Sequence, residues 1–410
     1  MRTTELAVDL FGDEYVRDPY PTLRALREQA PVHHDPATGL WLVSRHEDVR
    51  AALLDADTFH PDNALTAVTP IPIRALRVLA RAGFALPPTL ANNGTPTHPG
   101  LRRLVARFFT ARRVAEATPL IERLADEHVA VAEAELTATG RADLVAAVAR
   151  DLPCRLLLAM LGLPPVDVPT LKGWSTASLE LFWGNPGPER QVELAHAAGE
   201  FHRWLADQVR AASPDGEDLF SALVAHRRPD GEPLDVDEAV GVCYFLLIAG
   251  QETTTQLLST ALRRLVARPE LWRRLPEDPG LTAACVEEIL RHEPPLPTWR
   301  RVTSQPTRLG GVDLPAGAHL LLMLAGANTD PAAYSEPERF CPGRAEGRRH
   351  LAFGLGRHLC LGAELARAEA AVVLRTAAAR LPDVRLVEAD PPMLDLLSFR
   401  APLRVLVTRD

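Results

Sequence analysis

The segment from His350 to Glu364 reads H-L-A-F-G-L-G-R-H-L-C-L-G-A-E. Gly354 and Gly356 permit a tight turn and a close approach of backbone to a flat ligand. Cys360 falls just before an Ala- and Leu-rich stretch expected to be helical. A helix N-terminus presents unpaired N–H groups and partial positive charge, which stabilise a thiolate. Cys360 is therefore suited to be an anionic metal ligand or a nucleophile, although an isolated cysteine is more commonly a buried structural one. A zinc site built from Cys341, His350, His358 and Cys360 has a spacing that matches no zinc ribbon or finger. The glycines also resemble a fragment of a dinucleotide fingerprint, but no buried strand of a βαβ unit leads into them.

Three other segments carry residues able to do chemistry. Glu288 and Arg291 stand three apart on one helix face, a spacing that on a surface contributes little. Ala249-Gly250-Gln251-Glu252-Thr253-Thr254-Thr255 interrupts the centre of an apolar helix expected from about Asp235 to Ala267. A glycine followed by polar residues is costly there unless it has a use; a polar, solvent-facing stripe with a kink is the plain alternative. At about 1.5 Å per residue that helix spans about 50 Å, enough to cross the molecule. His98 and Arg102, four apart, share a helix face; either alone is more often an ordinary satisfied residue.

Taken together, F-G-x-G-x-H-x-C-x-G at Phe353 to Gly362 resembles the haem-binding loop of the cytochrome P450 haem-thiolate family, soluble bacterial class. The other segments resemble that family's motifs in the family's order, from about His98 to the end. The resemblance implies haem b (iron protoporphyrin IX) with Cys360 as the axial iron ligand. It places Phe353 and Gly354 against the sulfur side of the ring and His358 on a propionate. His98, Arg102 and Arg301 are further propionate ligands. Pro99 and Gly100 depart from the usual polar and basic pair and put the start of that helix in question. Arg300 leaves a one-residue ambiguity, which the spacing to Gly310 and Gly311 resolves in favour of Arg301. Glu288 and Arg291 match the family's E-x-x-R pair, with Arg344 as third member, a structural brace beneath the haem loop. Ala249 and Gly250 would lie beside the iron in the oxygen-binding groove. Thr253 would hydrogen-bond the oxygen bound there, and Glu252 would relay protons to it. Gln251 stands where many bacterial members have histidine.

The activity implied is reductive activation of O2 and its insertion into a hydrophobic small molecule, by hydroxylation or epoxidation, in natural-product biosynthesis. The thiolate favours O–O cleavage. The alternatives are a coupling oxidase or peroxygenase on the same fold, or a haem protein that binds without turnover. No flavin domain and no Fe–S cysteines are visible, so electrons are expected from a ferredoxin-type donor. Arg102, Arg103, Arg107, Arg112, Arg113, Arg348, Arg349 and Arg357 would face it on the cysteine side. The pocket is expected to draw on residues 62–94 and 165–200, on Leu296 to Trp299 and on Leu396 to Phe399. Phe182, Trp183, Leu296, Leu397 and Phe399 are its apolar candidates, although core packing explains aromatic residues equally well.

The elements that must position these groups are mostly helical. The expected fold class is mainly α with small β-sheets, one haem domain over residues 1–410, with no internal repeat or linker. Leu40 to Ser44 reads as a strand and His46 to Leu54 as a helix. Residues 61–100 read as a long irregular loop, usually functional or disordered in a compact domain. Leu101 to about Leu281 is helical, Thr307 to Leu324 is strand, turn and strand, about Leu361 to Ala379 is a last helix, and Leu394 to Val407 a terminal hairpin. Hydrophobic residues make up 47% and charged residues 24%, which excludes disordered and fibrous classes. A net charge of −8 argues against nucleic-acid binding. The absence of a long apolar run or signal-like start points to a cytoplasmic protein with no membrane span. Five scattered cysteines without C-x-x-C fit a reducing compartment.

Overall fold

The computed structural model describes residue 6, residues 8–164 and residues 166–409. The helices that build the site are α1 (His46–Leu54), α2 (Ile73–Arg81), α3 (His98–Ala106), α4 (Ala111–Thr139), α5 (Leu152–Leu161), α6 (Val168–Trp183), α7 (Pro188–Ala211), α8 (Val236–Val266), α9 (Pro279–His292) and α10 (Ala363–Arg380). Helix α8 is central. Asp235 caps it in a box with Glu238, each side chain accepting from the other's backbone N–H. Its apolar residues pack into two cores: one half meets α4, α9 and α10, and the other meets α5, α6 and α7.

The strands are peripheral. Among the described residues they are β1 (Val32–Asp35), β2 (Leu40–Val43), β3 (Phe59–His60), β4 (Arg141–Asp143), β5 (Trp299–Thr303), β6 (Thr307–Leu309), β7 (Val312–Leu314), β8 (His319–Leu322), β9 (Val384–Leu386) and β10 (Leu406–Arg409). They form a sheet in the order β1-β2-β8-β5-β3, a second in the order β4-β10-β9, and the pair β6-β7. The mainly α fold with small sheets is thus as expected.

Three local expectations need correction. Residues 61–100 are not irregular throughout: α2 forms because Ala75 and Leu79, one turn apart, are buried against the α7 side of the core. Thr307 to Leu324 holds two turns, since Gly310 and Gly311 (φ 55 and 83) already reverse the chain between β6 and β7. The segment after Leu394 makes only single bridges, Met393 with Pro402 and Leu396 with Phe399. Its last strand instead joins β4 and β9.

Candidate active site

The loop before α10 turns at Gly354 (φ 67) and Gly356 (φ 66), where L side chains are strained. It is closed by the Cys360 N–H donating to the Phe353 carbonyl at 2.9 Å. Cys360 lies deep in the protein yet keeps an accessible surface, so it lines an interior space rather than filling a core. Burial pushes its thiol up; the Gly362 N–H, Arg102 and Arg367 pull it back without cancelling the rise. The helix-terminus stabilisation expected from sequence is therefore only partial, because α10 begins at Ala363 and Gly362 is the backbone donor that reaches the sulfur. The Phe353 ring packs beneath Arg367, whose guanidinium carbon is 4.6 Å from the ring centroid.

Beside this loop the cations gather. Helix α3 begins at His98 despite Pro99, which occupies a first-turn position that needs no N–H. The His98 and His358 rings lie 4.3 Å apart. His98 Nδ1, His358 Nε2 and Arg301 Nε are buried without a hydrogen-bond partner. Burial, with nearby arginines, lowers His98 to about 4. Burial, then Arg301 and His98, lowers His358 to about 3. Burial alone lowers Arg301 to about 10; its NH1 reaches only the Arg300 carbonyl, at 2.8 Å. A guanidinium buried without a carboxylate, beside two imidazoles with unpartnered nitrogens, is costly unless an anion joins the group. They fit the two propionates of a haem. Arg102 NH2 donates to the Leu359 carbonyl at 2.7 Å, one residue from Cys360. Arg300 is accounted for differently: it donates to the Ala64 carbonyl at 2.8 Å and to that of Thr66, and its charge lies over Trp183. This pins the 61–100 segment and leaves Arg301 to the histidine cluster.

The brace lies behind. Glu288 accepts from Arg291 Nε and NH2, both at 2.8 Å, from the Cys341 N–H at 2.8 Å, and from Arg344 Nε at 3.0 Å. Arg291 NH1 donates to the Asn328 and Pro337 carbonyls, both at 2.8 Å. Burial would raise the Glu288 carboxyl, but these donors hold it below its ordinary value. Glu287 adds a second tie: His350 at 3.1 Å and Arg367 at 2.6 Å overcome burial and hold it at about 2. Among the described residues no three His, Cys, Asp or Glu side chains gather as a metal cluster, so the four candidates for a zinc site do not converge.

On α8, Phe245, Ala249 and Thr253 recur every four residues and stay partly accessible, as does Gly250, while the rest of residues 239–256 is buried. One face of a buried helix thus lines an interior space. Phe245 joins the same apolar cluster as Leu296, Trp299, Leu396 and Leu361, the neighbour of Cys360. Thr253 Oγ1 donates to the Ala249 carbonyl at 2.7 Å. Glu252 is turned away, with Oε1 2.9 Å from Lys172 Nζ. Gly250 serves packing: a Cβ there would sit 2.9 Å from Leu157 of α5. Of the apolar pocket candidates, Phe182, Trp183, Leu397 and Phe399 are core residues, at most 7% exposed: the three aromatic rings pack on one another and on Phe84, and Leu397 packs in a separate cluster with Leu23 and Leu26. Leu296 remains partly accessible. Pro165 lies outside the described residues. Phe245 was missed, although its spacing of eight from Thr253 marks the same face.

Comparison with known proteins agrees with the fold. The Cytochrome P450 family model matches residues 280–378. The cytochrome P450 monooxygenase PikC of Streptomyces venezuelae is 36% identical over 93% of this chain and 88% of its own. An erythromycin C-12 hydroxylase of Saccharopolyspora erythraea is 35% identical over 87% of this chain and 86% of its own. Among solved structures, cytochrome P450 CREJ in complex with (4-ethylphenyl) dihydrogen phosphate superimposes with a TM-score of 0.91 at 32% identity, covering 96% of this chain and 98% of that one.

Proposed function

The chain belongs to the cytochrome P450 family and is a haem-thiolate monooxygenase, and we propose that it oxidises an apolar natural product by hydroxylation or epoxidation. Cys360 would hold the iron of a haem, and His98, Arg102, Arg301 and His358 its propionates; the group would supply thiolate-assisted cleavage of O2. The observation that carries this assignment is the trio of His98, His358 and Arg301, in which the buried His98 Nδ1, His358 Nε2 and Arg301 Nε lack a partner. Phe353 and Gly354 would support the ring from the cysteine side. Phe245, Leu296 and Trp299 form an apolar wall that orients substrate and excludes water. Thr253, its hydroxyl proton committed to Ala249, keeps oxygen lone pairs free to accept a hydrogen bond in the chamber. Glu252 is the acid that moves protons toward it. Ala249 and Gly250 bring the helix backbone close to that space.

Among the described residues no helix is long and apolar enough to cross a membrane. A redox partner supplies the electrons, and we assign it to the ferredoxin class on the cysteine side. There Arg103, Arg107, Arg348, Arg349 and Arg357 are exposed, and Arg112 is exposed and paired with Glu116 at 3.2 Å. Arg113 stacks on Phe108.

One assay tests both parts. Thr253→Ala is expected to keep haem content and substrate affinity while diverting several-fold more reducing equivalents from product to peroxide. Unchanged turnover in the Thr253→Ala, Glu252→Gln double variant contradicts the proton-relay assignment. Charge reversal at Arg112 and Arg113 in the same assay should slow the first reduction; an unchanged rate removes this docking face.

A further inference from the structure

Strand β5 divides its side chains between two faces, as the alternation of a strand requires. Trp299 and Arg301 share one face, and Arg301 joins the cluster of His98 and His358. Arg300 belongs to the other face and is buried, with no carboxylate in contact among the described residues. Its Nη1 and Nη2 donate to the Thr66 and Ala64 carbonyls, and its Nε has no partner. Burial lowers it to about 10, so it stays charged at neutral pH. A buried cation without an anion is costly unless polar or π-electron partners take the anion's place. The remaining partner is the Trp183 ring, whose centroid is 5.8 Å from the guanidinium carbon.

Trp183 ends α6 and is held from several directions. Its ring stacks on Trp299, with centroids 6.4 Å apart and planes 20° from parallel. Phe399 meets it edge-on at 5.3 Å and Phe182 at 6.0 Å. Its carbonyl accepts from the Leu397 N–H at 2.8 Å, so the backbone is fixed as well. Trp183, Phe182 and Phe399 are buried, whereas Trp299 keeps accessible surface. An accessible indole is thus fixed by a buried one, which is itself fixed by a buried cation. Phe245 of α8 stands beside Trp299 as a second accessible ring, tilted by 48° with centroids 6.4 Å apart. It precedes Thr253 by eight residues, about 12 Å along the helix.

We propose that Trp299 is a platform for a flat, conjugated ring of the substrate, and that Arg300 is the positioning residue that holds the platform at a fixed angle through Trp183. A flat ring stacks on an indole face and gains more than burial alone supplies, whereas a saturated ring of the same size gains burial only. A platform that is already rigid loses no side-chain freedom when the ring arrives. Arginine suits the buttress because its planar guanidinium stacks on a ring while its N–H groups reach fixed acceptors. Those acceptors are the carbonyls of Ala64 and Thr66, so one side chain ties the platform to the 61–100 segment. The substrate is then elongated. Its ring lies at the Phe245 end of the accessible face of α8, and the carbon that is oxidised lies near Thr253, about 12 Å away. This rests on the reading of the interior space as the substrate chamber of a monooxygenase.

The probes are two neutral alcohols, a hexanol ending in a naphthyl group and the same hexanol ending in a decalyl group. Each is titrated into the holoenzyme and read by the shift it causes in the haem Soret band. The naphthyl probe is expected to bind about three- to tenfold more tightly, although the saturated group is the more apolar of the two. Trp299→Leu should remove this preference, and Trp299→Phe, which restores a flat ring, should keep most of it. Arg300→Met should bring the two affinities within about twofold of each other at unchanged haem content. Arg300→Gln takes its place should that variant not load haem. Oxidation of the naphthyl probe is expected on the hexyl chain in the wild type and should spread to the ring in the Arg300 variant. Equal affinities in the wild type, or a preference that survives Trp299→Leu, overturn the platform. Arg300 variants that weaken both probes alike, leaving the ratio and the site of oxidation as in the wild type, overturn the positioning by Arg300. If neither probe shifts the Soret band of the wild type, the chamber reading fails and the platform with it, so the two failures are told apart.

Discussion

Two charge networks are buried in this protein, and they are finished to different degrees. Around Glu288, the carboxylate accepts from Arg291, Arg344 and the Cys341 N–H, and Arg291 donates onward to three backbone carbonyls. Beside Lys172, Glu252 Oε1 remains without an aligned donor, and the buried Glu369 Oε1 on α10 has no partner either. A buried polar network is rigid when every member is satisfied, and an unpaired member is where it can rearrange. The first network ties α9 to the irregular chain that leads into the cysteine loop. The second joins α6 to the helix that carries Glu252 and Thr253. The finished network braces the cysteine loop, and the unfinished one leaves Glu252 Oε1 without an aligned hydrogen bond.

The largest expected effect comes from opening the finished network. Glu288→Ala strands Arg291, which is wholly buried, and costs about 3–5 kcal/mol. Expression should yield little haem-loaded protein; well-folded holoprotein would show that the pair is no brace. Glu287→Gln tests its neighbour through pH. Because Glu287 is depressed from 4.5 to about 2, its contribution is fully present above 4.5 and is lost as pH falls toward 2. The variant should be about 2–3 kcal/mol less stable at neutral pH, and the gap should close in acid. Parallel stability curves down to about pH 2 contradict the tie to His350 and Arg367. The smallest effect is expected from removing charge on both sides of the unfinished network. Lys172→Met with Glu252→Gln should fold with haem content unchanged and stability within about 1 kcal/mol of wild type, since replacing a whole buried pair is often neutral. A loss as large as that of Glu288→Ala erases the contrast between the two networks.

What the sequence made legible follows the range of the interactions. The cysteine loop, the α8 boundaries and the Glu288–Arg291 pair are local patterns, and the structure places them within a residue or two. Spacing favours Arg301 over Arg300, and the contacts made by Arg300 give a physical reason for it. Interactions between distant segments were not legible. Nothing local to Lys172 announces a partner 80 residues on. Nothing around Gly250 reveals that Leu157 needs its missing side chain. Aromatic residues near the expected pocket, such as Trp183 and Phe399, pack on each other instead of lining it. Composition cannot separate those two fates, because both demand apolar surface.

The assignment of Cys360 to the iron is the claim on which the rest depends, and the ferrous carbon monoxide spectrum of haem-loaded protein tests it most directly. Wild-type protein is expected to show the red-shifted Soret band of thiolate ligation, and Cys360→Ser to lose it while the Glu288 network keeps the fold. A thiolate-type band surviving in Cys360→Ser, or a histidine-type spectrum in the wild type, contradicts the account.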